Sequence, residues 1–111
     1  MPKYLALFSY SDAAVAAMIE NRADRASAVQ RNVESVGARL ESLYWMFGAH
    51  DGIVIVEAPD SLTMAGISAA VRSTGAVRSE VHELFSSDDL QQILAHAEHA
   101  RANFTPPGQS S

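Results

Sequence analysis

No cysteine occurs in the chain. That excludes a disulfide framework, a thiolate metal site and a cysteine nucleophile, and leaves burial of apolar surface to hold the fold together. Basic residues are also scarce: eight Lys and Arg stand against thirteen Asp and Glu, a net charge of -5. Nucleic acid and anionic membrane surfaces both attract concentrated positive charge, so neither is expected as a partner. The opening run "YLALFSY" is broken too early by Ser11 and Asp12 to be a signal h-region or a membrane span, and a cytoplasmic location is the expectation. The six glycines form no phosphate loop, dinucleotide-binding fingerprint or G-x-S-x-G pattern, so nucleotide chemistry has no support.

What is present is material for one domain. At 111 residues, 48% hydrophobic and 19% charged, the chain can bury a core and remain soluble. Residues 3–10 are aromatic and aliphatic and end at Ser11-Asp12, a helix N-cap pair, which predicts a first strand. A helical stretch follows with an interruption near Asn21, and its second half places Val29, Val33 and Val36 on one side before Gly37. Residues 38–47 alternate, with Leu43, Trp45 and Phe47 set against Leu40, Tyr44 and Met46, and residues 51–58 are rich in β-branched side chains. Together they predict a hairpin across Gly48-Ala49-His50.

Pro59-Asp60 opens the next helix, with Met64, Ile67 and Val71 on one stripe and a stop at Ser73-Thr74-Gly75. Residues 76–85 read as a fourth strand. "SSDDLQQILAHAEHARA" reads as a last helix with Leu90, Ile93, Leu94 and Ala97 in line. The domain is expected over residues 1–101, with a disordered tail at 102–111, where paired prolines stand among polar residues. The order βα-ββα-β plus a terminal helix fits a two-layer α+β sandwich with helices on one face of an antiparallel sheet. The other face then needs cover, and a homodimer or higher homo-oligomer supplies it.

Three stretches carry a family resemblance: "MPKYLALFSYS", "GARLESLYWMFGAHDGIVIVEAPD" and "GAVRSEVHELFSSDDL". The chain resembles the GYD-domain proteins, small members of the dimeric α/β-barrel group. The resemblance implies a ferredoxin-like βαββαβ fold, here with an extra C-terminal helix. In that family the hairpin corner reads glycine, a variable residue, tyrosine, aspartate. Here Gly48 and Asp51 match, and His50 stands where the tyrosine would be. An imidazole can still donate or accept a hydrogen bond, and it can also bind metal. Relatives sharing the barrel include cofactor-free monooxygenases, haem-binding proteins, isomerase-like enzymes and small-ligand regulators, so the fold alone selects no activity.

The residues capable of chemistry are few. On the fourth strand Arg78, Glu80 and His82 alternate with Val77 and Val81, which predicts one charged and one apolar face. One reading is an enzyme without an organic cofactor. His50 or His82 would move a proton, Asp51 or Glu80 would orient it, and Arg78 would hold an anionic oxygen, with Tyr10, Tyr44, Trp45 and Phe47 lining a pocket for a small-molecule ligand. The other reading is a non-catalytic binding or assembly module in which the same charges pair at a subunit interface and the aromatics are core. No metal site is expected: His96 and His99 stand three apart on the last helix, without the spacing of a helical zinc motif.

Overall fold

The computed structural model describes residues 1–109. In chain order the elements are β1 (Lys3–Tyr10), α1 (Asp12–Glu20), α2 (Arg25–Glu34), β2 (Arg39–Trp45), β3 (Gly52–Glu57), α3 (Ser61–Ser73), β4 (Val77–Leu84) and α4 (Ser87–Ala102). The four strands form one antiparallel sheet in the order β2-β3-β1-β4, the ferredoxin-like arrangement. The expected tail begins at residue 102, which is the last residue of α4. The last two residues of the expected tail, 110 and 111, lie outside the described residues.

Every helix begins on a short oxygen-bearing side chain that accepts an otherwise orphaned backbone N–H. Ser11 accepts from Ala14, Asp24 from Ser27, Asp60 from Thr63 and Ser86 from Asp89. The break expected near Asn21 is the step from α1 to α2. Gly37, at φ 79°, takes the left-handed position that ends α2 and lets the Ala38 N–H reach Val33 O at 3.0 Å.

Alternation along β1 gives the sheet its two faces. Tyr4, Ala6 and Phe8 are buried on one side, while Leu5, Leu7 and Ser9 point to the other and are only half-buried. Through the strand register, Val54 and Val56 of β3 and Val81 of β4 share the buried side. There α2 and α3 bring Val33, Met64 and Ile67 onto the sheet and close the core. The opposite side carries Leu5, Leu7, Ile53, Ile55 and Tyr44 with Arg78, Glu80 and His82, and among the described residues no helix covers it.

Two expectations need correction. The alternation read through residues 38–47 does not hold, because β2 carries a bulge between Leu40 and Ser42. The extra residue leaves Leu40 and Leu43 on the same, helix-covered face and turns Trp45 to that face as well. The strand also stops at Trp45, so Met46 and Phe47 belong to the corner, and Phe47 is fully exposed. The extra C-terminal helix lies outside the layer that covers the sheet. It buries none of its residues and leaves Leu90, Ile93 and Leu94 exposed. The molecule accordingly measures 62 × 31 × 24 Å with a radius of gyration of 18.4 Å, against about 13 Å for a compact chain of this length.

Candidate functional site

The two covering helices do not fill the space above the sheet. Between them, on the buried face, lies a cavity of about 510 Å³. Its floor is Phe8 and Tyr10 of β1, Leu43 of β2, Val54 of β3, and Val77 and Ser79 of β4. Ala28, Val29 and Asn32 of α2 form one wall, and Ser68, Ala70 and Val71 of α3 form the other. The size suits a small organic molecule, and the lining is mostly apolar with a few polar groups, as ligand sites are. The inward residues of both walls include Ala and Ser, too short to close the gap between helix and sheet.

The cavity has a closed and an open end. Val33, Val56, Met64 and Ile67, all buried, shut one end where the core begins. At the other end stand Tyr10 at the close of β1, Arg25 at the start of α2, Thr74 after α3 and Val77 at the start of β4. Arg25 and Thr74 are exposed and Tyr10 is half-buried, so this end meets solvent. Three aromatics meet here. The Phe8 and Tyr10 rings are 5.5 Å apart in an edge-to-face contact, and Trp45 Nε1 donates to Tyr10 Oη at 3.3 Å. Within the walls, Ser68 Oγ and Ser79 Oγ are 3.2 Å apart and satisfy each other.

The hairpin corner sits at the same end. Asp51 Oδ2 accepts the Tyr10 backbone N–H at 2.8 Å, and the Asp51 N–H donates to Phe8 O at 2.8 Å. The sequence places Asp51 as a partner that orients a histidine. The carboxylate ties the corner to β1 instead, because the antiparallel β1–β3 register ends at the Phe8–Gly52 pair and, one step further, sets Asp51 against Ser9, within reach of the adjacent Tyr10 N–H. His50 lies on the other side of the sheet edge. Its Nδ1 is 3.5 Å from Ser9 Oγ, and Ser9 pairs across the sheet with Arg78.

The residues singled out in the sequence therefore divide between two faces. Tyr10 lines the cavity, with Trp45 bonded to it on the same side. His50, Tyr44, Arg78, Glu80 and His82 belong to the open face, and Phe47 touches neither space. His82 Nε2 and Glu80 Oε2 are 3.6 Å apart, with side chains 55% and 58% exposed, a surface pair open to water. At the far end of the same face Lys3 reaches Glu41 at 2.7 Å, and Arg39 reaches Glu57 at 2.6 Å. The bond to Glu41, and the negative charge behind it, hold the Lys3 ammonium above its usual range. Among the described residues no three His, Asp or Glu side chains gather as a metal would require, and no helix is long and apolar enough to cross a membrane.

Sequence reasoning missed the cavity and its walls, above all Arg25, Ser68 and Ser79. A readable signal was present in "RASAVQ" and "MAGISAAV", where small side chains recur on helices that must cover a sheet.

A family model described as the GYD domain matches residues 4–94. No curated protein matches the chain. Among solved structures, the feast or famine regulatory protein from M. tuberculosis, complexed with L-methionine, is similar with a TM-score of 0.52 at 11% sequence identity. The match takes in 99% of this chain but 56% of that one, so the chain spans little more than half the regulator's length.

Proposed function

The chain belongs to the GYD domain family, and from that premise we propose that it is a homo-oligomeric protein that binds a small, largely apolar molecule between its helices and its sheet. The observation that carries this reading is the cavity of about 510 Å³ with one closed, apolar end and one end in contact with solvent. Burial of an apolar body at the closed end would supply most of the affinity. Tyr10 Oη, already accepting from Trp45 Nε1, keeps its own proton for a polar atom of the ligand at the open end. The structural neighbour, itself solved with L-methionine, is in keeping with small-molecule binding by this fold.

Proton-transfer catalysis receives no comparable support. His82 and Glu80 sit in water on the opposite face of the sheet from the cavity, and Asp51 is engaged by the Tyr10 and Phe8 backbone. A binding role leaves those charges to the open face. There, half-buried Leu5, Leu7, Ile53 and Ile55 call for a second copy of the chain.

The test is to block the cavity without touching the core. Ala28→Trp places an indole in the α2 wall, and the neutral dye N-phenyl-1-naphthylamine reports apolar binding by its fluorescence. The native chain should enhance the dye's emission saturably. The variant should lose that enhancement at an unchanged melting temperature. Failure of the native chain to bind the dye, or undiminished binding by the variant, would remove this reading.

A further inference from the structure

The charge around the cavity is one-sided. The chain as a whole is acidic, with thirteen Asp and Glu against eight Lys and Arg, yet among the described residues no carboxylate lines the cavity and Arg25 is its one charged lining residue. Arg25 is the first residue of α2, at the solvent end beside Tyr10 and Thr74. Its guanidinium forms no ion pair among the described residues. The nearest carboxylate in sequence, Asp24, is committed to the helix start, where it accepts from the Ser27 N–H at 3.2 Å and the Ser27 hydroxyl at 2.6 Å.

Resting on the binding reading above, we propose that the ligand is an apolar molecule carrying one anionic group, a carboxylate or a chemical equivalent. The apolar body lies between α2 and α3, and the anion is held at the open end by Arg25. Two features converge on this class. A lone guanidinium offers a fork of N–H donors to a planar anion. Tyr10 Oη is a hydroxyl at the same end, whereas the Thr74 hydroxyl donates to Val71 O at 3.1 Å and the Asp24 carboxylate occupies the start of α2. A cationic ligand would meet Arg25 and find no counter-charge anywhere in the lining, while the acidic exterior would not favour an anion at any unspecific site.

A pair of dyes separates this inference from the reading beneath it. N-phenyl-1-naphthylamine is neutral, and 1-anilinonaphthalene-8-sulfonate is the same skeleton with one sulfonate. The native chain should bind the sulfonate more tightly than the neutral dye. Arg25→Gln should weaken the sulfonate about fivefold to tenfold and leave the neutral dye within about twofold, and Arg25→Lys should retain part of the preference. Equal loss of both dyes in Arg25→Gln would make Arg25 a wall and not an anion site. Tighter native binding of the neutral dye would also overturn the inference, and in both cases the cavity would still stand as a binding site. If neither dye binds the native chain, the binding reading fails and this inference with it.

Discussion

The Tyr10 backbone N–H donates to Asp51 Oδ2 at 2.8 Å, and the amide of Asp51 returns a bond of the same length to Phe8 O. One aspartate thus extends the β1–β3 ladder past its last strand pair, Phe8 with Gly52, and fixes the hairpin corner at the open end of the cavity. Asp51→Ala removes the acceptor and leaves a half-buried N–H without a partner. The expected cost is about 1–2 kcal/mol. Asp51→Asn keeps an oxygen acceptor and should lose less than half of that. Urea unfolding of both variants checks the order, and an alanine variant as stable as the native chain would contradict it.

Gly52 is glycine because the Phe8 ring lies over it. A Cβ at that position would overlap the tip of the ring, with both Cε atoms 2.7 Å away. Phe8 is also cavity floor, so the ring cannot move without reshaping the site. Gly52→Ala should cost about 1–3 kcal/mol through overpacking and weaken dye binding as well. Full stability together with full binding would show that the ring has room to shift.

Acid should loosen the two helices that wall the cavity. Asp60 is held below its ordinary carboxyl value of 3.8 mainly by the Thr63 backbone N–H and then by the Thr63 hydroxyl. Asp24 is held below it mainly by the Ser27 hydroxyl and then by the Ser27 N–H. A lowered folded value means that the stability is fully present above 3.8 and is lost as pH falls below it, through the folded values. Melting temperature should therefore fall as the pH drops below 3.8. The double variant Asp24→Asn, Asp60→Asn should show a shallower fall, since Asn caps a helix without titrating. An identical slope in native and variant chains would assign the acid sensitivity elsewhere.

The open face should be where copies meet. It carries Leu5, Leu7, Ile53 and Ile55 along its two central strands, flanked by ion pairs of Lys3, Arg39 and Glu57 at one end. Leu5→Glu with Ile55→Glu places like charges opposite each other in the β1–β3 register and should reduce the mass in light scattering to near the 11.9 kDa of one chain. A native chain already at that mass at micromolar concentration would contradict the assembly. A dimer that survives both substitutions would place its contact on another surface, such as the exposed stripe of α4.

How much of this was readable in the sequence differs from element to element. Strand and helix order followed from local chemistry: Ser11, Asp60 and Ser86 stand where helices start, and Val77 and Val81 alternate with Arg78, Glu80 and His82 as the two faces of β4 require. The bulge in β2 left no such mark. Nothing in "RLESLYW" distinguishes a bulged strand from a regular one, and the single inserted residue was enough to send Trp45 to the opposite face. The cavity depends on how far α2 and α3 stand from the sheet and from each other, a tertiary spacing that no short window encodes. Its trace was the run of small residues on those helices. The charged groups drew attention first, yet burial places the enclosed space on the face they do not share.

The central claim is that a small molecule enters between the helices and the sheet and does not settle on the open face. Adjacent residues of β3 separate the two directly, since Val54 lines the cavity and Ile55 points the other way. Methyl-resolved NMR of the native chain titrated with N-phenyl-1-naphthylamine reads both at once. The account predicts saturable shifts at Val54, Val71 and Val77 with Ile53 and Ile55 unmoved, whereas shifts confined to Ile53, Ile55, Leu5 and Leu7 would contradict it.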